Sequence, residues 1–145
     1  MTAPVFFHVL VDTGPLVAII DRSDRYHARC TETLRLIQPP LWTTWPVLTE
    51  VAWLLRNQLQ GLQRLYSGVE SGFFRIVPLE ESSLAKMSQL QKRFQTLKPQ
   101  LADMTLLLIA EQEKHSAIFT LDRRDFSVMQ KKSRPRFELL PETLD

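Results

Sequence analysis

Cysteine is nearly missing from this sequence: Cys30 stands alone among 145 residues. A lone thiol excludes an intrachain disulfide framework and a thiolate metal site of the zinc-finger kind, and it suits a reducing, cytoplasmic setting. Cys30 itself is expected as a small buried apolar residue in a chain that is 44% hydrophobic. No apolar run is long enough to span a bilayer, so no membrane contact is expected. The opening MTAPVFFHVLVDTG lacks a basic n-region, and its apolar run stops at an acid; it reads as a first strand and not as a secretion signal. Charge of one sign is also lacking, because 18 Lys and Arg against 16 Asp and Glu leave +2, too little by itself to announce nucleic-acid binding. No GxxxxGK[ST] loop, no GxGxxG after the first strand and no GxSxG elbow is present, which excludes the commonest nucleotide-binding and serine-hydrolase chemistries. His8, His27 and His115 have no HExxH-type spacing; His8 falls in the expected first strand and the other two read as surface residues. With no repeat, low-complexity tract or linker, residues 1–145 read as one domain able to bury its own core.

Short β-rich apolar runs are what the chain does have, at residues 5–11, 41–43, 73–78, 117–121 and 137–140, and they alternate with segments of helical period. That alternation predicts an α/β domain with a mainly parallel sheet. The run 5–11 is apolar nearly throughout, as expected of a central strand covered on both faces. Gly14-Pro15 opens a short helix through Ile20, and Pro46 suits the first turn of a helix in which Val47, Val51, Leu54 and Leu55 recur at helical spacing. Leu84, Met87, Leu90 and Phe94 mark another helix, ending before Lys98-Pro99, and residues 102–114 a further one.

Four acids interrupt these apolar stretches. Asp12 follows the first strand in VLVDTG, Glu50 sits in the helix after residues 41–43, Asp103 falls in the first turn of LADMTLLLIAEQ, and Asp122 follows another strand in IFTLDRRDF. Each has an ordinary structural explanation as a helix cap, a macrodipole partner, a turn residue or a solvated side chain. In an open parallel sheet, however, residues just past the strands and in the first turns of the next helices share the carboxyl edge, where such folds bind ligands. Glu50, at helical spacing from Val47 and Leu54, is expected on their buried stripe and needs a partner there. Converging carboxylates repel one another, and a divalent cation is the usual compensation. Oxygen-only ligation favours Mg²⁺ or Mn²⁺, which can polarise a phosphodiester and acidify an attacking water.

VLVDTGPLVAIIDRSDRYH, then PVLTEVAWLL, LADMTLLLIAEQ and IFTLDRRDF, in that order, resemble the PIN-domain family and in particular the toxin ribonucleases of VapBC toxin–antitoxin systems. The resemblance implies a three-layer α/β/α domain with a parallel five-stranded sheet in the order 3-2-1-4-5 and an acidic Mg²⁺ or Mn²⁺ site at its carboxyl edge. It implies Asp12, Glu50, Asp103 and Asp122 as the catalytic, metal-binding acids, with Thr13 and Thr120 beside them. Asp125 is an extra acid able to replace or assist Asp122. Two positions depart from the family's habit: Met104 stands where Ala commonly follows the helix acid, and Gln100 where a further acid is often found.

For substrate and partners, the basic residues after the first and fourth expected strands flank the implied site, and Arg22, Arg123 and Arg124 are the candidates to hold RNA phosphates. Lys131, Lys132, Arg134 and Arg136 continue that basic segment. Trp42 and Trp45 could stack unpaired bases, though Trp at a strand-to-helix junction is more often packing. The resemblance further implies a VapB-type antitoxin partner and a homodimer, for which the apolar-rich region 51–62 is a candidate interface. The expected function is a metal-dependent endoribonuclease; the alternatives are a catalytically weak RNA- or protein-binding module and a structure-specific DNA nuclease.

Overall fold

In the computed structural model, which describes residues 3–113, 115 and 117–144, five strands form one parallel sheet in the order β3-β2-β1-β4-β5. They are β1 (Val9–Val11), β2 (Leu41–Thr43), β3 (Phe74–Ile76), β4 (Ala117–Phe119) and β5 (Glu138–Leu140). Helices α1 (Thr13–Ile20) and α2 (His27–Leu34) join β1 to β2, and α3 (Trp45–Leu54) and α4 (Leu59–Glu70) join β2 to β3. Then α5 (Leu84–Arg93) and α6 (Leu101–Glu113) lead to β4, and α7 (Arg123–Lys132) to β5. Parallel strands need such crossovers, and the helices cover both faces of the sheet to give the expected α/β/α sandwich. No helix is long and apolar enough to cross a membrane among the described residues.

The sheet core is shorter than the expected strands. Only Val9, Leu10 and Val11 of the run 5–11 are fully buried, whereas Val5 is 57% and Phe7 52% exposed. His8 adopts a left-handed backbone (φ 55°) and so precedes β1 instead of lying in it. Upstream of that break, Phe6 pairs with Ile37 and not with the sheet proper. β1 pairs with β4 through Val9–Ala117, Leu10–Ile118 and Val11–Phe119. The Asp12 amide extends that ladder to the Phe119 carbonyl at 2.9 Å.

The order of connections reverses at β1, whose neighbours β2 and β4 lie on opposite sides. Chains leaving β1 and β4 therefore diverge and open a crevice at the carboxyl edge. Gly14 fits this place: a Cβ there would lie 3.2 Å from the Leu121 side chain, so its absence lets the turns after β1 and β4 approach closely.

Helix α6 is buried almost all round from Ala102 to Ala110, as an apolar helix without a polar face must be. Burying each of its larger aliphatic side chains contributes roughly 1.5–3 kcal/mol. Its expected final residue, Lys114, and Ser116 before β4 lie outside the described residues. Helices α2 and α7 were not expected from apolar period, because each buries only two residues, Cys30 and Thr33 in α2 and Phe126 and Met129 in α7. His115 is also not a surface residue: it is 6% exposed, with its ring edge-on to Trp42 at 6.1 Å.

Candidate metal centre and catalytic site

Asp12, immediately past β1, is the most deeply buried acid of the set at 7% exposure. The amide of Thr13 donates to its Oδ1 at 2.8 Å, and the Thr120 hydroxyl donates to Oδ2 at 2.8 Å. Burial pushes its carboxyl up to about 6; the two hydrogen bonds oppose the rise, and the charges of Glu50 and Asp122 add to it. Thr120 is fully buried after β4 and also accepts from the Asp122 amide at 3.0 Å. One hydroxyl thus links the residues following β1 and β4.

Thr13 makes the second link. Its hydroxyl donates to Glu50 Oε2 at 2.9 Å, tying the first turn of α1 to α3. Glu50 is half-buried, and the stripe expected around it divides: Val47 and Val51 are fully buried, whereas Leu54 is 55% exposed. The partner its carboxylate needs is the Thr13 hydroxyl.

Asp103 fulfils its ordinary role as well as a candidate chemical one. Gln100 flanks α6, and its amide donates to Asp103 Oδ2 at 3.1 Å, the reach-back half of a capping box. Burial raises the Asp103 carboxyl to about 7, and the charges of Asp12, Asp122 and Glu50 push in the same direction. Asp122 caps α7, its Oδ1 accepting from the Asp125 amide at 3.3 Å, and burial raises its carboxyl too. The charge of Asp122 raises both Asp12 and Asp103, and that of Asp125 raises Asp122.

All four acids therefore share one edge and one electrostatic neighbourhood. Among the described residues none of the four is in an ion pair. No three His, Cys, Asp or Glu side chains among those residues form a group arranged to hold a metal ion. Each carboxylate instead accepts from a local donor: Asp12 from Thr13 and Thr120, Glu50 from Thr13, Asp103 from Gln100 and Asp122 from Asp125.

Three threonines that no apolar pattern marks also build this edge. Thr43 Oγ1 donates to the Val11 carbonyl at 3.0 Å, the Thr44 and Thr105 hydroxyls share a hydrogen bond of 2.8 Å, and Thr105 donates to the Ala102 carbonyl at 2.7 Å. All three are buried, and the Thr44–Thr105 bond fastens the first turn of α6, and so Asp103, to the end of β2. The sequence signal was the polar pair inside LWTTWP and the Thr two places after Asp103. Met104 does not crowd the site, being fully buried within the hydrophobic core.

The basic candidates divide. Arg22 and Arg124 are exposed, and the charge of Arg124 reaches Asp122. Arg123 is committed elsewhere: its guanidinium donates to the carbonyls of Pro141 and Glu142, while Arg29 donates to the Thr143 carbonyl at 2.9 Å. The two arginines clamp the segment after β5. Lys131 and Lys132 lie in the last turn of α7, about ten residues and ~15 Å along the helix from Asp122, where cations suit the helix dipole. Of the tryptophans, Trp42 packs as expected, but Trp45 is 66% exposed and does not.

Comparison with known proteins agrees with this architecture. The family model described as PIN domain matches residues 9–132. Ribonuclease VapC26 of Mycobacterium tuberculosis (strain ATCC 25618 / H37Rv) is 21% identical over 135 residues, covering 92% of this chain and 100% of that protein. The crystal structure of VapC20 from Mycobacterium tuberculosis, a sarcin–ricin loop cleaving toxin, superposes with a TM-score of 0.72 at 15% identity, covering 83% of this chain and 94% of that one. With the match extending over most of its length and the sheet order of a three-layer α/β/α sandwich, the chain belongs to the PIN domain family.

Proposed function

We propose that this chain, acting as one PIN domain over residues 1–145, is a Mg²⁺- or Mn²⁺-dependent endoribonuclease and the toxin of a VapBC-type pair. One observation carries the reading: Thr13 and Thr120 interlock Asp12, Glu50 and Asp122 at one sheet edge, the charges of all three raise the Asp103 carboxyl, and no ion pair among the described residues offsets the four acids. The likeness to Ribonuclease VapC26 and to the VapC20 toxin supports the same choice of substrate class.

The donor set fits a hard divalent ion, since all of its donors are oxygens and two of its carboxyls are held high by burial and mutual repulsion. Mg²⁺ takes one or two carboxylates directly and keeps several waters, so it does not require a preformed cage of side chains. Asp12, Glu50, Asp103 and Asp122 are the residues that would hold such an ion. When bound, such an ion supplies positive charge to a phosphodiester and acidifies nearby water. Thr120 and the Thr13 amide fix both oxygens of Asp12, which sets the position of the centre. Glu50, with Oε2 held by Thr13, presents Oε1 to take the proton of the attacking water. Arg22 and Arg124 hold flanking phosphates, and Arg123 keeps its structural place. The VapB-type partner lays a segment over the acidic edge, and the region 51–62, where Leu59 is 68% exposed on α4, forms a homodimer contact.

The test is cleavage of a structured RNA by purified protein with Mg²⁺, with Mn²⁺ and with EDTA, beside Asp103→Asn. Cleavage should require the metal and fall at least a hundredfold in the variant; cleavage that survives EDTA or the substitution would sink the metal mechanism. Flap and single-stranded DNA in the same assay separate a DNA nuclease. The lack, among the described residues, of three acids already grouped around one point favours a second reading, a catalytically weak RNA-binding module, which predicts RNA retention without cleavage.

A further inference from the structure

Beside the acids runs an open groove of about 750 Å³, walled on one side by α3 and on the other by residues 100–102 at the start of α6. Its α3 wall carries Trp45, Thr49 and Trp53 at four-residue intervals, so the two indoles stand on one helix face about 12 Å apart. Trp45 is 66% and Trp53 64% exposed. Exposed apolar residues scattered singly need no explanation, but two indoles aligned along one groove form a patch. Arg56 adds a cation: its guanidinium lies over the Trp53 ring at 3.9 Å and donates to the Trp53 carbonyl at 2.8 Å. The groove is continuous with the candidate catalytic edge, because Glu50 lines it and the Gln100 amide that holds Asp103 belongs to its opposite wall.

We infer that this groove is the substrate's base-binding site, in which Trp45 and Trp53 stack unpaired nucleobases flanking the scissile phosphodiester while Arg56 meets the sugar–phosphate chain beyond Trp53. The inference rests on the ribonuclease reading and names what that reading leaves open, which is how unpaired RNA is held. Indoles stack on any base, since every base presents a π face, so the site selects single-stranded over paired RNA more than it selects sequence. The geometry favours a nucleic acid over a permanently seated second copy of this chain. A second copy filling the groove would cover Glu50, whereas bases lying on the indoles leave the carboxylate facing the phosphodiester. Arg56, over the Trp53 ring at the rim and outside the groove's own lining, suits a phosphate on the chain leading away from Glu50.

The experiment measures binding without cleavage: anisotropy of a labelled twelve-nucleotide single-stranded RNA in EDTA, with the full chain and with Trp45→Ala, Trp53→Ala and Trp45→Phe. Each alanine variant is expected to weaken binding about tenfold, Trp45→Phe less than threefold, and the RNA to quench tryptophan fluorescence. An RNA carrying abasic sites at its centre needs no variant, and it should bind about tenfold more weakly to the unaltered protein. Alanine variants and abasic RNA that bind like their parents overturn the inference. So does an alanine variant that keeps its RNA affinity but sediments as a monomer where the parent sediments as a dimer, which would make the groove a protein interface. Failure of the ribonuclease reading is distinguished by Asp103→Asn: a variant that still cleaves leaves stacking intact and removes the metal mechanism. A parent chain that binds no RNA removes both.

Discussion

Asp103 shows how one residue serves two ends. Its carboxylate caps α6 through the Gln100 amide, yet burial and three neighbouring acids raise it to about 7. An acid whose folded pKa exceeds its unfolded value binds more protons when folded, so its contribution falls as pH rises from the ordinary 3.8 toward 7. In metal-free buffer Asp103→Asn, which keeps an oxygen for Gln100 but cannot ionise, should therefore melt higher than the parent at pH 8. The gain should be about 1–2 kcal/mol after allowing for solvent screening, and should vanish near pH 4. Thermal melts at the two pH values check it, and adding Mg²⁺ should raise the parent's midpoint and not the variant's. Thr120 is the complementary case: Thr120→Val removes the donor to Asp12 Oδ2 and the acceptor for Asp122 N–H. Loss of such an orienting partner should weaken Mn²⁺ affinity 10- to 100-fold, measured by calorimetry. The four acids were legible in the sequence because each interrupts an apolar stretch or ends a strand. Thr44 and Thr105 were not, because their importance is a contact between residues far apart in the chain.

At the scale of elements, the first turn of α6 is held to the end of β2 by the buried Thr44–Thr105 hydroxyl pair. Thr105→Val leaves the Thr44 hydroxyl without its acceptor in a dry site, at a cost of about 1–3 kcal/mol; Thr44→Val should cost less, because Thr105 keeps its bond to the Ala102 carbonyl, and replacing both should cost less than the sum. A double-mutant cycle by urea unfolding measures this, and the same variants should lose metal affinity, because Asp103 rides on that turn. Helices α1, α3, α5 and α6 could be read from apolar period and from Gly14-Pro15 and Pro46. Helices α2 and α7 could not, since each contributes few buried residues; α7 is started by the Asp122 cap, and α2 packs on α1. The strand at residues 5–11 was over-read for a related reason. Apolarity identified the run, but the backbone reversal at His8 limits the strand to Val9–Val11.

For the whole molecule, the sheet order brings together residues as distant as Asp12 and Asp122. His115 introduces a global pH dependence of the opposite sign to that of Asp103. Burial depresses its ring to about 4, with a hydrogen bond to Ile109 opposing the fall, and its Nδ1 is buried without a partner among the described residues. A base whose folded pKa lies below its unfolded 6.5 is stabilising above 6.5, and that contribution is lost as pH falls toward 4. His115→Phe, which preserves the edge-on contact with Trp42, should flatten the decline of the melting temperature between pH 6.5 and pH 4. A decline as steep as the parent's would show that other groups govern acid unfolding.

By itself the sequence determined the alternation of strands and helices, the order of the four acids and their places at strand and helix ends. Those features are local: side-chain period, a proline in a first turn, an acid closing an apolar run. Only the tertiary structure decided that Thr13 and Thr120 bind Glu50 and Asp12, that Arg123 clamps the carboxyl-terminal segment, that His115 is buried and that Trp45 is exposed. Each of those depends on what the returning chain lays against a side chain, and no window along the sequence contains both partners.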